Sequence, residues 1–217
     1  MTLRQINCWH DRTFDIDTAC TAFLAIDMQR DFLIGKDGQP NDMARIIPGF
    51  MKLTAVMRDW GCEVIHTRES YSADLSDVTA HKASQNYVCR PGPFGKYLVR
   101  GEHGCDFVDE LEPATAERVI DQPGFSKLHG SGLREVLQGK GITHLVLAGV
   151  TTQCCVHSTL RKAVDAGYWC LTVADCCASP QQNWHDAALE LIASENHLFG
   201  SICELQDMTN CPETNQD

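Results

Sequence analysis

Two side chains in this sequence stand where a buried strand gives way to a turn, and both are of types that do chemistry. Cys155 follows Leu145-Val-Leu-Ala148 and the turn Gly149-Val-Thr-Thr-Gln-Cys154. Consecutive apolar residues without alternation predict a strand buried on both faces of a parallel sheet. Beyond it, Val156, Leu160, Ala163 and Val164 share one helical stripe that stops before Gly167. Thr151 or Thr152 can cap that helix, which puts Cys155 in or near the first turn, where free N–H groups favour an anion. The expectation is a thiol that ionises more readily than a free cysteine, whose pKa is about 8.5. Asp27 ends a second apolar run, Ala22-Phe-Leu-Ala-Ile26. Each residue alone has a plainer reading, since cysteine is a common core residue and a strand-end Asp is commonly a cap. Two such groups at the carboxyl edge of one sheet, where open α/β sheets bind ligands, point instead to a nucleophile and its base.

The elements that carry these residues alternate between strand and helix. Strands are predicted at 22–26, 63–67, 118–121, 144–148, 168–174 and 199–203, and helices at 43–60, 131–140, 152–166 and 183–195, the first of them briefly interrupted by Pro48. That order with short links gives a three-layer α/β fold around a doubly wound, mostly parallel, six-stranded sheet. The whole length, 217 residues, suits a single domain. We read residues 1–20 as an arm on the surface or on a neighbouring subunit, 21–205 as the domain, and 206–217 as a polar tail. Residues 70–113 are rich in Gly, Pro and charge without regular pattern. So long an irregular segment is expected to be a lid or a subunit contact, with a solvated loop as the plain alternative.

Composition narrows the partners. A net charge of −11 with no basic run argues against a nucleic-acid or anionic-membrane surface. No stretch has the apolar length of a membrane span or a signal peptide, so a cytoplasmic protein is expected. The twelve cysteines are scattered and include the adjacent pairs Cys154–Cys155 and Cys176–Cys177, a pattern of reduced thiols rather than a disulfide framework. Without a Cys-x-x-Cys or His-Glu-x-x-His signature, no zinc site is expected. His66, alone within a strand, reads as a packed core residue.

The segment Gly149-Val-Thr-Thr-x-x-Cys155-Val-x-x-Thr-x-Arg-x-Ala163 resembles the nucleophile motif of the isochorismatase-like cysteine hydrolases. From Ala22 to about Gly200 the chain is similar to that family. Asp27-Met-Gln-Arg-Asp-Phe32, His66-Thr-Arg-Glu69, Asp74-Leu-Ser-Asp77, Leu98-Val-Arg-Gly-Glu102 and Gly167-Tyr-x-Cys170 bring it nearest to biuret hydrolases and related ureide amidohydrolases. The resemblance implies Cys155 as nucleophile, Asp27 as base, and a cis peptide bond between Val150 and Thr151. It also implies a lysine, yet Gln122 stands at that position. Either Lys127 supplies the charge from a shifted site, or Gln122 replaces it with a neutral hydrogen bond. Biuret hydrolases carry a second lysine where this chain has Phe125, so a different amide is implied, with Phe32, Gln122 and Phe125 at the substrate. Metal-dependent nicotinamidases carry Asp-x-His after the second strand. Here the text is Thr67-Arg-Glu-Ser-Tyr71, so neither metal nor cofactor is expected.

The implied reaction is hydrolysis of an amide or ureido C–N bond through a thioester. Asp27 moves the protons, and the backbone N–H groups of Thr151 and Cys155 form the oxyanion hole. The expected partners are a small amide substrate and further copies of the chain in a homodimer or homotetramer. A nicotinamidase-like enzyme and a vinyl-ether hydrolase of the isochorismate type share the fold, though the latter needs no thiol. A non-catalytic, thiol-rich homologue would explain Gln122.

Overall fold

The computed structural model describes residues 3–214. The chain opens with β1 (Leu3–Cys8) and β2 (Arg12–Asp17), an antiparallel hairpin, before β3 (Thr21–Ile26) enters the core with every residue buried. The short α1 (Arg30–Leu33) precedes α2 (Ile47–Asp59) and β4 (Glu63–Glu69). The irregular segment then contributes α3 (Ala80–Ser84) and a small hairpin of β5 (Pro91–Gly92) and β6 (Gly95–Lys96). β7 (Arg118–Gln122), α4 (Leu133–Gly139), β8 (His144–Val150), α5 (His157–Asp165), β9 (Trp169–Ala178), α6 (Gln182–His197) and β10 (Ser201–Cys203) complete the alternation. Last come α7 (Leu205–Thr209) and β11 (Glu213–Thr214).

Six strands form one parallel sheet in the order β10-β9-β8-β3-β4-β7. α2 packs with α7 and against β3, β4 and β9, while α5 and α6 pack on β9, and α6 also on β10. The result is the three-layer α/β fold expected from the sequence. β3 and β8 lie side by side at its centre, so their carboxyl ends, and the residues that follow, are neighbours. The point where strand order reverses lies between them, the usual crevice of such sheets.

Several expectations need correction. Residues 3–17 are not a surface arm: Ile6 and Ile16 are fully buried in the main core. Nor are residues 206–214 merely a polar tail, because Met208 is buried and β11 pairs with β1; residues 1–2 and 215–217 lie outside those described. Pro48 does not interrupt a helix from Met43. It sits in the first turn of α2, where its missing N–H costs nothing, and a 3-10 turn over Asp42–Ile46 precedes it. Among the described residues no helix is long and apolar enough to cross a membrane, and all twelve cysteines are free thiols.

Candidate active site

β3 delivers Asp27. Its backbone is left-handed, with φ 54°, a conformation Asp tolerates better than most residues, and its N–H donates to Thr67 O at 3.1 Å. The side chain therefore turns under the sheet edge, where Thr67 Oγ1 donates to Oδ1 at 2.9 Å. β8 delivers the turn that carries the thiol. Gly149 has φ 129°, and a Cβ there would lie 2.0 Å from Ile26 O. Only glycine lets the end of β8 close against the end of β3. The Val150–Thr151 peptide is cis, and Thr152–Val156 forms a π-helical turn before α5. Neither Thr151 nor Thr152 caps the helix through its side chain; Thr152 Oγ1 instead pairs with His185 Nδ1 at 2.8 Å.

The third group arrives from the turn after β7. Lys127 is fully buried, and its Nζ lies 2.7 Å from Asp27 Oδ2 and 3.1 Å from Gly124 O. Its backbone N–H donates to Thr159 Oγ1 on α5 at 3.0 Å, so the helix that follows the thiol also holds the lysine. Gln122, at the position the family resemblance assigns to lysine, has its side-chain amide turned to the carbonyl of His129. It does not line the cavity, contrary to the substrate contact expected of it.

Cys155 Sγ and carboxylate oxygens of Asp27 and Glu69 all lie within 4.8 Å of one another. Glu69 is a buried member of the site that sequence reasoning passed over. Its Oε2 is 3.6 Å from Cys155 Sγ, and its Oε1 accepts from Tyr71 Oη at 2.7 Å and from Lys82 Nζ at 2.9 Å. The strand was predicted to stop at Thr67; it runs to Glu69, so this carboxylate also stands at a strand's carboxyl end, the same signal that marked Asp27. Two carboxylates are thus matched by two ammonium groups, Asp27 with Lys127 and Glu69 with Lys82. Burying charge without such pairing would be prohibitive. Such a donor set could in principle hold a cation, but Lys127 already supplies positive charge at Asp27.

Burial pushes the Asp27 carboxyl above its usual range and outweighs the Lys127 ammonium, which pulls the other way. Burial likewise works against the Lys127 ammonium, but Asp27, Cys155 and Glu69 prevail and hold its pKa above the ordinary value. The Cys155 thiol is raised well above a free cysteine by its hydrogen bond with Cys154, by burial and by Asp27, while Lys127 opposes. This corrects the expectation of an easily ionised thiol. A helix start favours a thiolate, but the hydrogen bond with Cys154, burial and the facing Asp27 together favour the thiol more.

Cys155 opens onto a cavity of about 510 Å³ whose wall includes Phe32, Tyr87, Tyr97, Phe125, Thr151 and Cys154. Phe32 and Phe125 therefore line the cavity, as do Thr151 and Cys155, the expected oxyanion donors. Residues His81 to Tyr97 of the irregular segment supply much of the wall, so that segment shapes the site. A larger groove of about 860 Å³, between the β1–β2 hairpin and the end of α6, has none of these groups in its lining.

Known proteins resemble this chain in sequence and in fold. The isochorismatase domain model matches residues 21–207. The ureidoacrylate amidohydrolase of Serratia proteamaculans is 30% identical over 208 residues, covering 88% of this chain and 82% of that protein. The enzyme of the same name from Pantoea ananatis is 37% identical over 171 residues, covering 71% and 68%. Among solved structures, an isochorismatase-like hydrolase from Alkaliphilus metalliredigens superposes with a TM-score of 0.73 at 26% identity, over 88% of this chain and 98% of that one. With residues 21–207 matched by the family model and its fold shared over 88% of its length, this chain belongs to the isochorismatase family of hydrolases.

Proposed function

We propose that this protein is a cysteine-dependent amidohydrolase that cleaves the C–N bond of a small amide or ureide through a thioester. The observation that carries the reading is the buried convergence of Asp27, paired with Lys127, on Cys155, the thiol that lines the cavity. The ureidoacrylate amidohydrolases similar to this chain support a ureido group, a carbonyl flanked by two nitrogens, as the part of the substrate that reacts. The lysine beside Asp27 speaks against a non-catalytic homologue, since the charge absent at Gln122 is supplied by Lys127.

The resting proton sits on Cys155. As the sulfur attacks the carbonyl carbon, the proton passes to Asp27, whose raised pKa makes it a stronger base than an ordinary carboxylate. Lys127 keeps Asp27 ionised until then. The oxyanion forms beside the backbone N–H groups of Thr151 and Cys155, a kind of stabilisation that contributes about 3 kcal/mol. Protonated Asp27 gives its proton to the departing nitrogen, and the C–N bond breaks. Water then attacks the thioester with Asp27 again accepting a proton, and the thiol is restored.

Ammonia release from a panel of amides and ureides, with ureidoacrylate, biuret and nicotinamide among them, tests the reading. Turnover of a ureide that falls about a thousandfold or more in Cys155→Ala is expected. Equal rates in the variant, or no turnover of any member, would rule the reading out.

A further inference from the structure

The chain has an acidic excess, with 29 Asp and Glu against 18 Lys and Arg, yet among the described residues no acidic side chain lines the cavity at Cys155, although carboxylate oxygens of Asp27 and Glu69 lie within 4.8 Å of its sulfur. Its ionisable wall residues, apart from tyrosine and cysteine, are His81, Lys82 and Arg90. Lys82 is already matched, because its ammonium lies 2.9 Å from Glu69 Oε1 and 4.0 Å from the centre of the Phe125 ring. Arg90 is different. Its guanidinium lies 4.2 Å from the centre of the Tyr97 ring, and among the described residues it forms no ion pair. Asp31, a carboxylate that feels its charge, is buried and takes the Leu98 N–H at 2.6 Å. Tyr97 is itself fixed by edge contacts with Phe32 at 6.0 Å and Tyr87 at 5.7 Å between ring centres. The cavity is thus lined by a buried thiol, by aromatic rings and by an exposed arginine that rests on one of those rings and forms no ion pair among the described residues.

We propose that Arg90 reads a carboxylate at the far end of the substrate, so that the enzyme selects small amides or ureides that are also carboxylic acids over neutral ones. This rests on the amidohydrolase reading above and adds the charge of the substrate to it. A guanidinium pre-set on an aromatic face presents its N–H fork to a planar anion at little entropic cost, a geometry that suits a carboxylate better than a lysine would. The aromatic rings of the cavity wall, set edge to face, suit a short apolar linker.

The test compares ureidoacrylate with its methyl ester, which has the same scissile bond and leaving group without the charge. Wild-type enzyme should prefer the acid by about 10- to 100-fold in kcat/KM, the value of one charge-assisted hydrogen-bonded pair. Arg90→Gln should bring the acid-to-ester ratio to within about threefold, mainly through the KM of the acid, and Arg90→Lys should retain part of the preference. A ratio near one in the wild type, or one that Arg90→Gln leaves unchanged, overturns the proposal. Equilibrium binding of both compounds to Cys155→Ala and to Cys155→Ala with Arg90→Gln separates the two readings. Acid binding that depends on Arg90 without any turnover sinks the hydrolase reading and upholds the anion site. Cys155-dependent turnover without acid preference does the reverse, and failure of the acid to bind Cys155→Ala counts against the proposal as well.

Discussion

Lys127 and Gln122 invert the roles that their positions suggest. The lysine comes from the turn beyond β7 rather than from the strand's end, and the glutamine, itself buried, closes that turn on the carbonyl of His129. Lys127→Ala should therefore lower kcat/KM far more than Gln122→Ala, because it removes a cation from beside a carboxylate and a thiol rather than one neutral hydrogen bond. The pH profile gives a sharper reading. Asp27 must be ionised to accept the thiol proton, so kcat/KM should rise with pH through its folded-state pKa, along an acid limb above the usual 3.8. The ammonium pulls that pKa down, so in Lys127→Ala the limb should move to still higher pH. A limb that stays put, with turnover undiminished, would remove Lys127 from the mechanism. The same pKa shift bears on stability: a carboxyl raised by folding stabilises the protein in acid and loses that contribution as pH rises through the folded-state value.

Two elements hold the reacting groups in register, and each depends on one residue. At the end of β8, Gly149 lies so close to Ile26 that a Cβ would meet its carbonyl oxygen at 2.0 Å. Gly149→Ala should destabilise the protein by roughly 3–5 kcal/mol, by forcing apart the two strand ends that carry Asp27 and Cys155; urea titration measures it. On α5, Thr159 Oγ1 accepts the Lys127 N–H, and it also donates to Phe125 O at 3.5 Å. Thr159→Val keeps the shape but leaves a buried N–H without its acceptor. A stability loss of about 1–3 kcal/mol is expected, together with a fall in kcat of roughly 10- to 100-fold as Nζ shifts away from Asp27. Unchanged kcat in a folded Thr159→Val protein would show that the lysine is positioned by its ion pair alone.

At the scale of the whole molecule, the two ends of the chain close onto each other outside the parallel sheet. β1 pairs with both β2 and β11, Trp9 N–H donates to Ile202 O at 2.8 Å, and Trp9 Nε1 donates to Glu204 Oε1 at 3.0 Å. Ile6 and Ile16 fill core space beneath this closure. Ile6→Ala should cost about 2–5 kcal/mol of stability. It should leave kcat of the folded enzyme close to the wild-type value, since the hairpin supplies nothing to the wall of the Cys155 cavity. A large change in kcat with little change in denaturation midpoint would contradict that division of labour.

The alternation of elements, the parallel sheet and the placement of Asp27 and Cys155 at its carboxyl edge were legible because they follow from local facts. Unalternating apolar runs mark buried strands, and the residue after such a run must stand at the edge. The alternation with helices then leaves one architecture. Whatever depended on distance through space was not legible in this way. Glu69 lies two residues beyond the predicted strand end, and nothing local signals that Lys82, Tyr71 and Cys155 converge on it. The amphipathic face of β1 and β2 is short and polar in composition, so its burial depends on the partners that α7, β10 and β11 bring from the other end of the chain. The thiol's pKa turned against the local expectation for the same reason. A helix start is a property of neighbouring residues, but the Cys155 thiol is raised by its hydrogen bond with Cys154, by burial and by Asp27 from β3, against the ammonium from beyond β7, and all but the first of these act only once the sheet has formed.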